Sequence, residues 1–447
     1  MAKEEEEMET LTEVIMLLLL MGIGALLRYI PHVRYKYPST PDTFYFMNKF
    51  KDPDYESEQD YHYPKFLYQL FRFFLRSKQE IPVRTINKVT PLFDLLTAIL
   101  LYAFLRPSFG VETSLVAMLL FLVTPFTVKH GVSLSSRPFG LMLFTVSLLC
   151  LTLPVPLNWI AVLPMALVML SHKLSTQTLY IVCLTFALLD LQVVLILFAA
   201  VLTALIVSKA DYIRIFSSHM ALIWKYLRQG HYPNQRLEGL LLTPTVAGFA
   251  IYAGILWLQN ILMFPVSLGP LVIFQITVIE PYTELLFLSW GIVCLLLLIF
   301  WIAGESFRHL YLAAAPFAFF SARILQNGTI FTILISLLAV GSFGVSLYFS
   351  IHYEHLDNEF VAMLHRLKEL PEPVRFIVPY RLLRAAEYFS DKRGVSLYFP
   401  ELSEEALSKR LDEEGSTHAV INTQNRERFP SWKEISHDGD WFMLERE

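Results

Sequence analysis

The chain reads as an α-helical polytopic membrane protein with a small C-terminal α/β domain, on three observations. Of its 447 residues 55% are hydrophobic, and the mean hydropathy of +0.48 is too high for a water-soluble protein of this length. The apolar residues fall in blocks of about 16–23, the length that crosses roughly 30 Å of hydrocarbon. After Tyr353 the blocks give way to a charged segment in which helical and strand periods alternate.

The predicted spans are about 11–29, 90–106, 112–128, 136–153, 155–171, 174–189, 191–208, 241–262, 284–303, 308–323 and 329–351, eleven in all. The acidic start Met1-Ala-Lys-Glu-Glu-Glu-Glu, with no small-residue cleavage site after the first apolar run, predicts a retained signal anchor. Cys150, Cys183 and Cys294 lie inside apolar spans without paired spacing, which argues against a disulfide scaffold and a zinc site. A net charge of -4 gives no reason to expect a nucleic-acid partner.

Polar sequence interrupts the ladder at 30–89, at 209–240 and after Tyr353, which divides the chain into a membrane domain, 1–355, with a long first loop at 30–89, and a soluble domain, 356–447. Within the first loop Phe66, Leu67, Leu70, Phe71, Phe74 and Leu75 recur at helical spacing between Lys65, Arg72, Arg76 and Lys78, the pattern of a helix lying in the membrane surface. The stretch Asp211 to Arg228 has the same character. The run Phe264 to Ile279 is apolar but holds Pro265, Gly269 and Pro270, so a partial or re-entrant segment is expected there. In the C-terminal domain the periods predict helices at Asp357–Leu370, Tyr380–Ser390 and Ser403–Glu414, the last stopped by Gly415. Strands are predicted at Val374–Val378, Val395–Phe399, His418–Ile421 and Trp441–Glu445, in a mostly parallel sheet. The domain has no Gly-rich phosphate loop.

The candidate chemistry sits at the ends of the spans. Asp42, in Tyr37-Pro-Ser-Thr-Pro-Asp42-Thr-Phe-Tyr-Phe46, follows the first span by about a dozen residues, near enough to meet a lipid-borne substrate; aromatic neighbours would hold it at the interface. Its other reading is an ordinary cap on a helix from Thr43 to Lys49. Tyr63-Pro64 begins a helix or lines a site, and His62 faces an acceptor in the second case. The acidic run Asp52, Asp54, Glu56, Glu58 and Asp60 does not imitate a calcium loop and reads as a solvated turn. Arg137, in Ser133-Leu-Ser-Ser-Arg137-Pro-Phe-Gly140, stands at the mouth of a span, where a cation either snorkels or pairs with phosphate. His172 and Lys173 form a second cationic pair at another span end. By the loop count Asp42, Arg137, His172 and Lys173 share one side of the membrane, a carboxylate facing a phosphate-binding rim. Glu280 is a candidate second carboxylate. Arg308 precedes Leu310-Tyr-Leu-Ala-Ala-Ala-Pro316, and its side depends on the count.

These residues resemble the GT-C superfamily of membrane glycosyltransferases, which includes protein O-mannosyltransferases and aminoarabinose transferases. The resemblance covers the ladder, the first-loop acid Asp42, the Tyr63-Pro64 run, the Arg308-to-Pro316 stretch, which is similar to an Arg-Tyr-Leu-x-Pro region, and an outer C-terminal domain. It implies transfer of a sugar from a polyprenyl-phosphate lipid to a glycan, lipid or protein acceptor, with inversion and with Asp42 as base. It also implies a multi-pass protein of the cell membrane that keeps Asp42 on the outer face, whereas the Lys and Arg of loops 28–88, 129–137 and 209–236 favour the cytoplasm by the positive-inside rule. Many relatives carry two adjacent acids where this chain has Pro41-Asp42-Thr43, and the Trp-Trp-Asp signature of oligosaccharyltransferases is absent. No cofactor is expected, since the lipid-phosphate sugar is a substrate, and a divalent metal is not strictly required. A transporter or lipid flippase is the alternative from another class, and a non-catalytic scaffold a third; internal repeats with matching broken helices, which would mark a transporter, are not found in the sequence.

Overall fold

The computed structural model describes residues 2–38, 40–52, 55, 64–74, 83–188, 190–229, 282–300, 309–324, 329–371, 373–379, 382–397 and 403–446. The chain forms two compact units, one of Met1–Ile30, Asp60–Leu70 and Val89–His352, the other of Pro31–Gln59, Phe71–Lys88 and Tyr353–Glu447. Neither unit is one continuous segment. Parts of the first loop belong with the C-terminal segment.

The first unit is helical. It contains most of α1 (Ala2–Arg34). The predicted break between 106 and 112 is present inside α5 (Thr90–Val123), which follows the short helices α2 (Pro41–Lys51), α3 (Phe66–Phe74) and α4 (Val83–Asn87). Pro107 lies within α5, and Gly110 takes φ 77° and ψ 173°, a left-handed conformation that a side chain would strain. The 39 residues Thr85–Val123 would extend about 58 Å if straight, far more than a bilayer core needs, so two arms meeting at Gly110 suit the environment. The helices α6 (Pro125–Gly131), α7 (Ser136–Leu151), α8 (Val162–Met169), α9 (Lys173–Phe186), α10 (Gln192–Val207) and α11 (Asp211–Gln229) follow. Then come α12 (Tyr282–Phe300), α13 (His309–Ile324) and α14 (Thr329–Ile351). These helices overlie the predicted segments 136–153, 155–171, 174–189, 191–208, 284–303, 308–323 and 329–351. The span at 241–262 and the segment 264–279 lie outside the described residues.

Among the described residues three helices are long and apolar enough to cross a membrane, or up to five if each bent pair is one span. The predicted count of about eleven is therefore met only in part, because several predicted spans are shorter helices. The segment predicted at 155–171, for example, is a 3₁₀ turn at Leu157–Ala161 followed by the eight residues of α8. Helices α10 and α11 meet at 114°, through Lys209 and Ala210 at φ 52° and 65°. A surface helix leaving a span needs such a turn.

The second unit is built on a five-stranded mixed sheet. Its strands are β1 (Phe376–Pro379), β2 (Gly394–Leu397), β3 (His418–Asn422), β4 (Lys433–Asp438) and β5 (Trp441–Glu445), in the order β2-β1-β3-β5-β4. The sequence predicts a mostly parallel sheet and no strand at β4, but only β2-β1 and β1-β3 pair in parallel. The β3-β5 and β4-β5 pairs are antiparallel. Strand β4 alternates poorly in hydrophobicity because it is an edge with mostly solvent-facing side chains. On one face Ile377, Ala419, Ile421 and Leu444 pack with Leu407 and Leu411 of α17 (Glu404–Glu414) and with Phe429 and Trp432. Ser403 caps α17 by accepting from Ala406 N at 3.2 Å, and Gly415 ends it at φ 59°, both as predicted. The alternating partners Phe376, Val378, Val420 and Met443, all buried, turn to the opposite face. Helices α15 (Asn358–Glu369) and α16 (Leu383–Ser390) contact the sheet, with Phe360 on Trp441 at 4.3 Å between ring centroids.

Within this unit α2, from the first loop, docks on α16. Phe44 meets Tyr388 and Phe389 at 5.8 and 5.6 Å. Asn48 Nδ2 donates to Arg384 O at 2.9 Å, and Tyr55 OH donates to Glu387 at 2.5 Å. Segments in contact lie on one side of any membrane, so the first loop and the C-terminal domain share a side, as parity of the predicted spans requires. Burial raises the Glu387 carboxyl above its usual range, against the opposing bonds from Tyr55 and Gly394 N.

Asp391 ends α16 in the left-handed region at φ 56° and holds Lys51 of α2 at 2.7 Å and Lys368 of α15. Burial raises its carboxyl, but the bonds from Lys368 and Lys51 outweigh that and hold it below its ordinary 3.8. A lowered carboxylate stabilises the fold above its unfolded value and ceases to do so as pH falls through its folded value. We predict that Asp391→Asn, which tolerates the same backbone, loosens α2 and α16 at pH 7 by less than about 1 kcal/mol, because the pair is largely exposed. Hydrogen exchange in those helices should show the difference at pH 7, shrinking as pH falls below 3.8.

Candidate functional site

Asp42 is not the cap of its helix. Thr40 stands at the N-cap, its N–H on Thr43 Oγ1 at 3.3 Å, and α2 begins at Pro41, so Asp42 lies in the first turn and not at the cap position. A negative charge there complements the helix dipole. Its side chain is one-third exposed, with Arg384 Nη1 4.0 Å from Oδ1, and that guanidinium also lies over Tyr45 at 5.1 Å. The expected alternative, a cap on Thr43 to Lys49, fails because the helix starts two residues earlier than the aromatic run suggested.

Arg137 occupies the first turn of α7, whose N-cap is Ser135. A cation at that end opposes the helix dipole, so helix stability does not explain it. Its Nη1 lies 2.6 Å from His130 Nδ1 on α6. Arginine can only donate, so Nδ1 accepts and the proton of the ring sits on Nε2. The His130 ring stands edge-on to Phe126 at 4.5 Å and to Tyr311 of α13 at 6.0 Å. Tyr311 OH in turn donates to Asp94 Oδ1 on α5. Asp94 Oδ2 accepts from Arg28 Nε of α1 at 3.0 Å, and neither side chain of this pair is exposed at all. The remaining Arg28 donors reach Leu122 O at 3.0 Å, Gly24 O at 3.3 Å and Thr127 Oγ1 at 3.3 Å. Gly131 makes room for the pair: a Cβ there would lie 2.0 Å from Asp94 Oδ2.

The structure brings the second cationic pair to the same region of this unit. His172 is the N-cap of α9, its Nδ1 accepting from Ser175 N at 3.3 Å. The helices α7 and α9 approach closely at Gly140, where a Cβ would meet His172 Cβ and Ser175 Oγ at 2.8 Å. Gly140 is one turn from Arg137, so two helix N-termini and the cations of Arg137 and Lys173 gather at one end of the pair. Lys173 is buried and donates to Ser218 Oγ of α11 at 3.3 Å. His172 therefore serves a helix end, and Arg137 and Lys173 are the two cations in the first turns beside it. Asp42 belongs to the second compact unit and these cations to the first. His62, Tyr63, Glu280 and Arg308 lie outside the described residues. Among the described residues no three His, Cys, Asp or Glu side chains stand together as a metal site, so none is assigned as a ligand.

Arg28, Asp94, Tyr311 and His130 escaped the sequence reading, although a signal existed for one of them. Asp94 is the one charge between Pro91 and Leu105, and an ionisable group inside a span is a functional mark in itself. Tyr311 lies in the Arg308-to-Pro316 stretch that carried the resemblance. We predict that Asp94→Leu, which strands the buried Arg28, costs about 3–5 kcal/mol, and that the double change Arg28→Leu with Asp94→Leu is much milder. The yield and unfolding temperature of the detergent-solubilised variants check this.

No family model matches the sequence, and no curated protein matches it by sequence. Solved structures do. The oligosaccharyltransferase of Archaeoglobus fulgidus, tethered to an acceptor peptide containing the NVT sequon, aligns over 92% of this chain and 69% of its own, at 11% identity and a TM-score of 0.61. An apo form of that enzyme aligns with a TM-score of 0.57, at 11% identity, over 92% of this chain and 70% of its own. ArnT from Cupriavidus metallidurans, bound to undecaprenyl phosphate, aligns over 96% of this chain and 97% of its own, at 10% identity and a TM-score of 0.60. At these identities the likeness speaks for architecture, and the chain has the fold of the GT-C glycosyltransferases.

Proposed function

We propose that this chain is an integral membrane glycosyltransferase that moves one sugar from a polyprenyl-phosphate carrier to a glycan, lipid or protein acceptor. One observation carries the reading: the chain aligns along nearly its whole length, and nearly the whole length of its counterpart, with ArnT bound to undecaprenyl phosphate. The gathering of Arg137 and Lys173 at two helix N-termini supports it, since such a place favours phosphate.

Asp42 takes the proton from an acceptor hydroxyl, whose oxygen attacks the anomeric carbon from the face opposite the carrier. The carbon–oxygen bond to the phosphate breaks, its electron pair stays on the phosphate oxygen, and the configuration inverts. Arg137, with Lys173 behind it, offsets the charge that grows there. General-base assistance contributes about 10²–10⁴ in rate and preorganised charge a similar or larger factor. No step is assigned to a metal. Asp42 and the C-terminal domain then work on the outer face of the cell membrane.

Membranes from cells overproducing the chain, incubated with a panel of labelled polyprenyl-phosphate sugars, should pass label to lipid, glycan or protein; a wholly inert panel would favour transport instead. Asp42→Asn should abolish transfer while the protein still folds, since loss of the charge–dipole contact costs only about 0.3–1 kcal/mol. Near-normal turnover of that variant would remove Asp42 from the mechanism. Arg137→Ala should raise the KM for the lipid donor about tenfold or more, as loss of a charge-assisted phosphate contact predicts. A change confined to the acceptor KM would place Arg137 elsewhere.

A further inference from the structure

Arg384 stands in the first turn of α16, where a cation opposes the helix dipole, so the stability of that helix does not explain it. Its guanidinium is directed to α2. It lies 4.0 Å from Asp42 Oδ1 and 5.1 Å from the centroid of the Tyr45 ring. Asp42 and Tyr45 are three residues apart on one helix, hence neighbours on one face, and a single planar cation reaches both. The main chain of the same residue is fixed separately, because Asn48 Nδ2 donates to Arg384 O at 2.9 Å. At 4.0 Å the contact with Asp42 is an ion pair and not a hydrogen bond. It favours the charged carboxylate without itself occupying the oxygen, and a base needs both. The other charged groups around α2 and α16 have contacts of their own. Glu387, one turn along α16, accepts from Tyr55 OH and, at 3.4 Å, from Gly394 N, and Arg384 acts on it more weakly than either. Lys51 pairs with Asp391 at 2.7 Å, Arg393 lies over the Tyr55 ring at 5.0 Å, and Lys49 stands in the last turn of α2, two turns from Asp42.

We propose that Arg384 is a positioning residue for Asp42: it holds the carboxylate in place and in its charged form, so that the C-terminal domain completes the site of the base. The inference rests on the reading of Asp42 as the base of sugar transfer, and adds the group without which that carboxylate would take up a proton more easily. The role differs from that of Arg137, because Arg384 acts through Asp42 and not on the lipid donor.

The test uses the purified full-length chain in detergent, labelled with [4-13C]aspartate, the Asp42 carboxyl signal being assigned by its loss in Asp42→Asn. Arg384→Gln, and Arg384→Met as a second variant, should each raise the titration midpoint of Asp42 by about one pH unit. An opposite charge within about 4–6 Å shifts a carboxylate by about 1–3 units, and partial exposure of this pair reduces that. Arg384→Lys, which keeps the charge, should titrate close to wild type. All three variants should unfold near the wild-type temperature, because Asn48 bonds to the main chain of residue 384. In the transfer assay the acid limb of kcat/KM should move up in pH with the midpoint in Arg384→Gln and return in Arg384→Lys, with the KM for the lipid donor unchanged. A merely structural role would instead lower activity evenly across pH. An unmoved midpoint in the Gln and Met variants, or a Lys variant that titrates as they do, would overturn the proposal whether or not sugar is transferred. If the midpoint moves as described while the sugar panel stays inert, the transfer reading fails alone; if transfer proceeds and the acid limb of Arg384→Gln matches wild type, the positioning role fails alone.

Discussion

The first unit depends on one buried ion pair. Arg28 and Asp94 are both wholly excluded from solvent, and a charge in such surroundings costs several kcal/mol unless its partner and its hydrogen bonds are complete. They are nearly complete here: two carbonyls, a threonine hydroxyl and a tyrosine close the shell. Because the partners come from α1, α5, α6 and α13, helices far apart in sequence can meet in one arrangement only. Apolar packing alone would not be so selective, since helices in lipid gain little from hydrophobic burial against one another. The same chain of contacts continues through Tyr311 and His130 to Arg137, so the element that fixes the helices also orients the cation assigned to phosphate.

In the second unit the corresponding constraint is the docking of α2 on α16. It combines an aromatic contact at Phe44, a buried amide at Asn48 and the two lysines on Asp391. The polar bonds fix the register, and the rings pack against one another beside them. This is why a carboxylate in a loop can have a defined place: Asp42 sits in the first turn of a helix that the C-terminal domain holds.

Hydropathy located where the helices of the first unit lie, because a block of apolar residues at helical length has few other uses, but among the described residues only three to five of them are long and apolar enough to cross a membrane. It located the break at Gly110 too, through the Pro107 to Gly110 interruption. The C-terminal helices were legible from Ser403 and Gly415, whose backbone roles are local. The edge strand β4 was not, since a strand exposed on both sides leaves no alternation to read, and the antiparallel return of β5 depends on pairing that no local pattern records. Arg137 and Lys173 lie in the first turns of their helices, where their positions at predicted span ends put them. The structure gives the His172 ring a local role that the sequence did not suggest, accepting from Ser175 N at the start of α9. Arg28, Tyr311 and His130 needed the structure, because their significance lies in which groups surround them, whereas Asp94 was legible as the one charge between Pro91 and Leu105.

The central claim, group transfer from a lipid phosphate, is tested most directly by the fate of the carrier. Purified protein in liposomes, given a polyprenyl-phosphate sugar and an acceptor extract, can be followed by mass spectrometry of the lipids and of the acceptor. The account predicts that polyprenyl monophosphate appears one for one with glycosylated acceptor. Intact sugar lipid recovered on the opposite leaflet, with no free polyprenyl phosphate formed, would contradict it.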